Sequence, residues 1–334
     1  MCRLFILILF AMSAGCGNVN LQSDTISRFE SVAFVPPSSV WLITGDNLIH
    51  TEDGGANWTY FPAPAQGTSK ITFINPKQGW LVNGSGHVFR TQDGGKNWVQ
   101  VATLLNKDSR FYTPLQIYFT DELSGWVLET YSVWQTIDGG VNWKLLVDVN
   151  GPRKPYRTSF VNSKNGWICS VEDEALYVTS DGGDHWKRKT FSFDSTCRNL
   201  FFVKPKLGWL SAWPNGGIYR TDDGGESLKL QFAANKGEEV GIDSLYFTDE
   251  NTGWAVGRIW PSRQDLGRKP TQGIILRTVD GGRIWERIET GLNDSLFSQV
   301  YFSGNKIGWL IGYENVYHTE DGGNTWQSLL HLPR

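Results

Sequence analysis

Short apolar runs alternate with clusters of Gly, Asn, Asp, Ser and Pro along most of the chain. Ile71-Thr72-Phe73-Ile74 is followed by Asn75-Pro76-Lys77-Gln78-Gly79. Trp80-Leu81-Val82 comes next, then Asn83-Gly84-Ser85-Gly86, then His87-Val88-Phe89-Arg90-Thr91. Runs this short, rich in β-branched and aromatic residues and bounded by turn formers, predict strands joined by tight turns. Asp93-Gly94-Gly95 reverses the chain once more before Trp98-Val99-Gln100-Val101. The segment predicts four short antiparallel strands.

This unit recurs. A turn pattern T-x-D-G-G-x-x-W begins at Thr51, Thr91, Thr136, Thr179, Thr221, Thr278 and Thr319, with Leu228 replacing the Trp in the fifth copy. A Phe followed seven residues later by a Trp runs in step, from Phe34/Trp41 to Phe302/Trp309. Four-stranded units repeating every 40 residues or so predict a propeller. The expected fold is all-β: a seven-bladed β-propeller with four antiparallel strands per blade, spanning 29–332. The last four strands need no outer strand from before Phe29, so the seventh blade should meet the first by packing alone. Asp suits these turns because its side chain accepts from backbone N–H groups beyond it, and the glycines tolerate positive φ. One carboxylate per turn is too few for calcium, which takes six or more oxygens. No metal or cofactor is expected.

Composition refines this reading in three places. Of 16 Trp, thirteen occupy the two repeated positions and Trp134 reads as framework, which leaves Trp213 and Trp260 unexplained by the repeat. A formal net charge of −3 carries no basic stripe for nucleic acid. Residues 1–15 read as a signal peptide, with Arg3, the apolar run from Leu4 to Met12, and Ser13-Ala14-Gly15 before Cys16. Cys16 then sits where a lipoprotein would be lipidated, and 17–28 form a linker. The expected product is an exported, membrane-anchored monomer on the periplasmic or lumenal side. Cys169 and Cys197 remain as a pair, either disulfide-bonded or as two buried thiols.

The turn motif is that of the Asp-box, or BNR, repeat. With its G-W strands the chain resembles the photosystem II stability/assembly factor family over roughly 29–330. That resemblance implies a scaffold without catalytic activity that helps assemble a membrane protein complex, partly through an arginine-rich patch. It also implies that the loops between second and third strands, and those between blades, share one face. Asp-box propellers also occur in glycan-binding and glycan-cleaving proteins, the alternative class. Candidate carboxylates for it are Asp173, Glu174, Asp243 and Asp265.

One loop breaks the period. Trp254 and Asp280 are 26 residues apart, where the other repeats hold 12 to 14. The extra segment carries Arg258, Trp260, Arg263, Arg268 and Lys269. Trp and Arg are favoured interface anchors, and Trp213 lies in the equivalent loop of the preceding blade. Arg153, Lys154 and Arg157 form a second basic cluster, with Arg110 and Arg198 in other connections. These residues are the candidate partner-binding surface. His50 and His318 are read as surface strand positions.

Overall fold

A computed structural model of the chain describes residues 29–45, 47–104, 114–146, 155–170, 174–190, 196–213, 216–235, 238–261 and 271–332. Seven four-stranded antiparallel sheets follow one another in chain order, over 31–62, 68–103, 114–145, 155–190, 196–232, 239–287 and 297–331. They are called blades 1 to 7. Each blade takes all four strands from one continuous stretch. Blade 7 meets blade 1 through Trp309, Ile311, Val316 and Leu330 against Val40, Leu42 and Ile49. Among the described residues, closure therefore rests on packing, without a strand shared between the first and last blades.

The repeated residues build the blade-to-blade contacts. Trp80, Trp126, Trp167, Trp209 and Trp254 are fully buried in the second strands. Each stacks on the repeated Phe of the next blade at 3.5–3.8 Å. Each also donates its indole N–H to the first Gly carbonyl of the next blade's D-G-G turn, at 2.8–3.2 Å. One side chain thus combines a large apolar burial with a satisfied polar handle.

The residue before that Trp is Gly in six blades, and the reason is steric. A Cβ at Gly166 would lie 2.1 Å from the Phe160 ring, and at Gly208 2.4 Å from Phe202. Blade 1 carries Val40 instead. There the ring of Phe34 stacks on Tyr301 of blade 7, with centroids 4.7 Å apart. The seam between last and first blades is thus built differently from the rest.

The seven turns share one hydrogen-bond pattern. In blade 2, Thr91 Oγ1 donates to Asp93 Oδ1 at 2.9 Å and accepts from Gly95 N at 2.8 Å. Asn97 donates its backbone N–H to Oδ1 and its side-chain amide to Oδ2. These bonds from Asn97 hold the Asp93 carboxyl below the usual range. The second role passes to His185, Ser227 or Thr325 in other blades. Leu228 packs in the slot that Trp fills elsewhere.

His50 departs from expectation. It is buried, stacks on Trp41 at 3.9 Å, and pairs with Ser39 Oγ at 2.8 Å. Burial lowers its pKa to about 4, against a raising effect of Glu52. Phe73 of blade 2 stands 5.6 Å from the Trp41 ring, further than its counterparts in the other blades, and the flat imidazole takes the close stacking position. His318 is half-buried beside Trp309.

Candidate functional site

The first strand of each blade lines the centre of the propeller. In blades 2 to 7 this strand breaks its pairing with the second strand four residues before the repeated Phe. A bulge leaves one residue unpaired and re-aims its side chain. In blades 5 and 6 the bulged residues are Arg198 and Asp243. Arg198 donates to Asp243 Oδ1 from Nε at 2.9 Å and from Nη2 at 2.6 Å. Arg258 donates from Nε to Oδ2 at 3.3 Å. The Asp243 side chain, only 11% exposed, therefore ties two arginines together.

Both arginines carry a tryptophan. The Arg198 guanidinium lies 5.3 Å from the Trp213 ring centre, and that of Arg258 lies 5.2 Å from Trp260. The two indoles meet edge to face with centroids 4.7 Å apart. Gly241 forms the floor: a Cβ there would come within 2.7 Å of Trp260 and 3.1 Å of Trp213. Trp213 pairs with Thr196 and Trp260 with Glu239 at the strand ends remote from the D-G-G turns. The result is a partly exposed Trp–Trp–Arg–Arg cluster on the loop face, with its rotamers held by one buried carboxylate.

This corrects the simple picture of an inserted loop. Arg258 and Trp260 belong to the second strand of blade 6, Gly253–Trp260, which the insertion lengthens. The two arginines are also not free positive charges, since Asp243 offsets them. Arg157 lies apart, in the first strand of blade 4, with its guanidinium over Tyr156 at 4.6 Å. Cys169 and Cys197 are joined by a disulfide with Cα atoms 5.5 Å apart, within the reach such a bridge requires. It links the second strand of blade 4 to the first strand of blade 5, one residue before Arg198.

Cys16, Arg153, Lys154, Arg263, Arg268 and Lys269 lie outside the described residues, as do Arg110, Asp173 and Asp265. Among the described residues no group of three His, Cys, Asp or Glu side chains gathers as a metal site would need. The roles of Asp243 as a clamp and Gly241 as a floor were not read from the sequence. A signal existed for the clamp: Arg198 and Asp243 stand at the same distance before Phe202 and Phe247 in consecutive blades.

The fold and cluster define a seven-bladed propeller with an aromatic and cationic surface on its loop face. The chain is homologous to photosystem II stability/assembly factors. It is 23% identical over 317 residues to HCF136 of Arabidopsis thaliana, a match covering 85% of this chain and 74% of that protein. It is 26% identical over 132 residues to the photosystem II assembly lipoprotein Ycf48 of a Synechococcus strain, covering 39% of each. A solved structure of Ycf48 bound to a D1 peptide superposes with a TM-score of 0.69 at 20% identity, over 90% of this chain and 95% of that one. No family model matches the chain.

Proposed function

We propose that this protein is a non-enzymatic scaffold that assists assembly of a membrane protein complex, and that it grips its partner at Trp213 and Trp260. The observation that carries this reading is the preorganised cluster. Two partly exposed tryptophans are held by Arg198, Arg258 and the buried Asp243, so little side-chain freedom is lost on binding. Trp and Arg are also enriched among the residues that carry most interface binding energy. The homologous factors are named for photosystem II, and one has been seen with a D1 peptide. By that likeness the partner here is a segment of a membrane protein. The basic residues Arg153, Lys154, Arg157, Arg263, Arg268 and Lys269 would add charge around the anchor.

The same reading places the protein outside the cytoplasm. Cys16 would carry the lipid after removal of 1–15, as the lipoprotein named among the relatives suggests. The seven turns are Asp-box turns with a structural role. A glycan-cleaving role is less well supported, because it needs two carboxylates free to face a sugar, and Asp243 is engaged by two guanidiniums.

The test is capture of membrane proteins on the tethered protein beside a glycan array. Trp260→Ala should weaken binding of the captured protein about thirtyfold, the loss of a hot-spot residue. Binding to a glycan alone, or unchanged capture by Trp260→Ala, would overturn the proposal.

A further inference from the structure

A second feature lies in the central channel, and it stands independently of the cluster on blades 5 and 6. Three residues before the repeated Phe, each first strand presents a polar side chain: Ser31, Lys70, Gln116, Arg157, Asn199, Ser244 and Gln299. Four of them bond the neighbouring first strand. Ser31 Oγ accepts from Ile71 N at 3.2 Å, and Gln116 Oε1 from Thr158 N at 3.2 Å. Asn199 Nδ2 donates to Asp243 O at 2.8 Å, and Ser244 Oγ accepts from Val300 N at 3.4 Å. These members hold adjacent blades together around the axis. Lys70 and Arg157 are the two cations of the same ring.

Lys70 Nζ reaches back to the carbonyl of Glu30 at 2.8 Å, and Arg157 Nη1 to its own neighbour's carbonyl, Tyr156 O, at 3.1 Å. Burial first, and then the Arg157 charge, hold the Lys70 ammonium below the usual lysine range, while Glu30 acts in the opposite sense. The ring itself holds two cations and no carboxylate. Two residues further along the same strands, toward the turn face, the wall is aromatic. Phe201, Tyr246 and Tyr301 follow one another at 5.2 and 4.8 Å, and Phe34, three residues beyond Ser31, continues the row at 4.7 Å. All four are partly exposed. The channel thus offers two like charges at one level of its wall, in a partly desolvated place, above an aromatic floor.

We infer that the channel is a binding site for a carboxylate borne on an apolar body, with Lys70 and Arg157 taking the carboxylate and the aromatic row receiving the body. Charge complementarity argues for it. Two cations in one ring repel each other, and an anion between them would relieve that repulsion while gaining charge-assisted hydrogen bonds. Glu30, which acts on Lys70 in the opposite sense, precedes the first strand of blade 1 and is not a member of the ring. A carboxylate could belong to a small organic acid or to the C-terminus of a polypeptide. The chemistry at Lys70 and Arg157 is the same for both.

The experiment is calorimetric titration of the purified full chain with benzoate, benzamide and inorganic phosphate. Benzoate should bind, benzamide should not, and Lys70→Gln or Arg157→Gln should each weaken benzoate by about tenfold or more. In the free protein Arg157→Gln should raise the melting temperature, because it removes the repulsion without removing a link between blades. This readout separates a ligand-binding residue from a structural one. The tripeptide Gly-Gly-Phe and its C-terminal amide then distinguish the sources: tighter binding of the free acid than of benzoate assigns a chain end, weaker binding a small acid, and both support a carboxylate site. Absence of benzoate binding, equal binding of benzamide, tighter binding of phosphate, or a Lys70→Gln/Arg157→Gln double variant that binds like the unaltered protein would overturn the inference.

Discussion

The two faces of this propeller are made from opposite kinds of sequence. The turn face repeats one solution seven times, and nearly every polar atom of its aspartates is consumed by the turn. Asp53, Asp93 and Asp138 each accept from a Thr hydroxyl, a backbone N–H and an Asn side chain. The loop face departs from the repeat, and its departures gather on blades 5 and 6. There Trp213, Trp260, Arg198 and Arg258 remain partly exposed around Asp243. Repeated residues mark where this chain holds itself together, and residues outside the repeat mark where it can hold something else.

The largest expected effect lies in the repeated framework. Trp126 is fully buried, stacks on Phe160 at 3.8 Å and donates to Gly182 O at 2.9 Å. Trp126→Ala should cost about 3–5 kcal/mol of stability, read from urea unfolding. Trp260→Ala should cost about 1 kcal/mol, since its ring is only partly buried on Gly241. It no longer counts as a residue outside the blade, so a small stability loss is expected alongside the binding loss. Equal destabilisation by the two changes would erase the contrast between the faces.

An effect below that of Trp126→Ala tests the steric reason for the repeated glycine. Gly166→Ala drives a methyl into Phe160 and should cost about 1–3 kcal/mol as an overpacked site. Val40 fills the same position in blade 1 at no such cost, because Phe34 has moved onto Tyr301. Gly166→Ala in combination with Phe160→Ala should therefore recover part of the loss. Additive losses in the pair would show that the ring is not the obstacle.

The smallest effect is a dependence on pH. Asp181 is raised by burial, but hydrogen bonds from His185 and Thr179 outweigh this and bring it to about 2. A carboxyl lowered on folding stabilises the fold above its unfolded value, and that contribution is lost as pH falls toward 2. Asp181 is largely exposed, so its share is modest. His50, lowered to about 4 by burial, adds stability that is full above the ordinary histidine range and fades as pH falls from about 6.5 to 4. Stability of His50→Phe should accordingly be flatter than that of the unaltered protein between those values in an acid titration. An unchanged slope would mean that His50 is not buried in its neutral form.

Much of the fold was legible because its signals are local and repeated. The T-x-D-G-G turns and the Phe–Trp spacing each report one strand or one turn, and seven copies leave little freedom in the count of blades. The site was legible only in part. Trp213 and Trp260 stood out as aromatics the repeat does not need. Their clamp did not stand out, because it depends on bulges that aim Arg198 and Asp243 at each other from separate strands. A bulge changes pairing by one residue and leaves the hydrophobic pattern almost unaltered. Likewise Lys70 and Arg157 share a repeat offset, but their place in one channel follows from closure of the ring.

Docking of the partner on the loop face of blades 5 and 6 is open to a direct test by site-specific photocrosslinking in host membranes. One protein carries a photoreactive phenylalanine derivative in place of Trp260, and a matched protein carries it in place of Glu52 on the turn face. A discrete adduct with a membrane protein is expected from position 260 and none from position 52. An adduct from position 52 alone, or equal adducts from both, would contradict it.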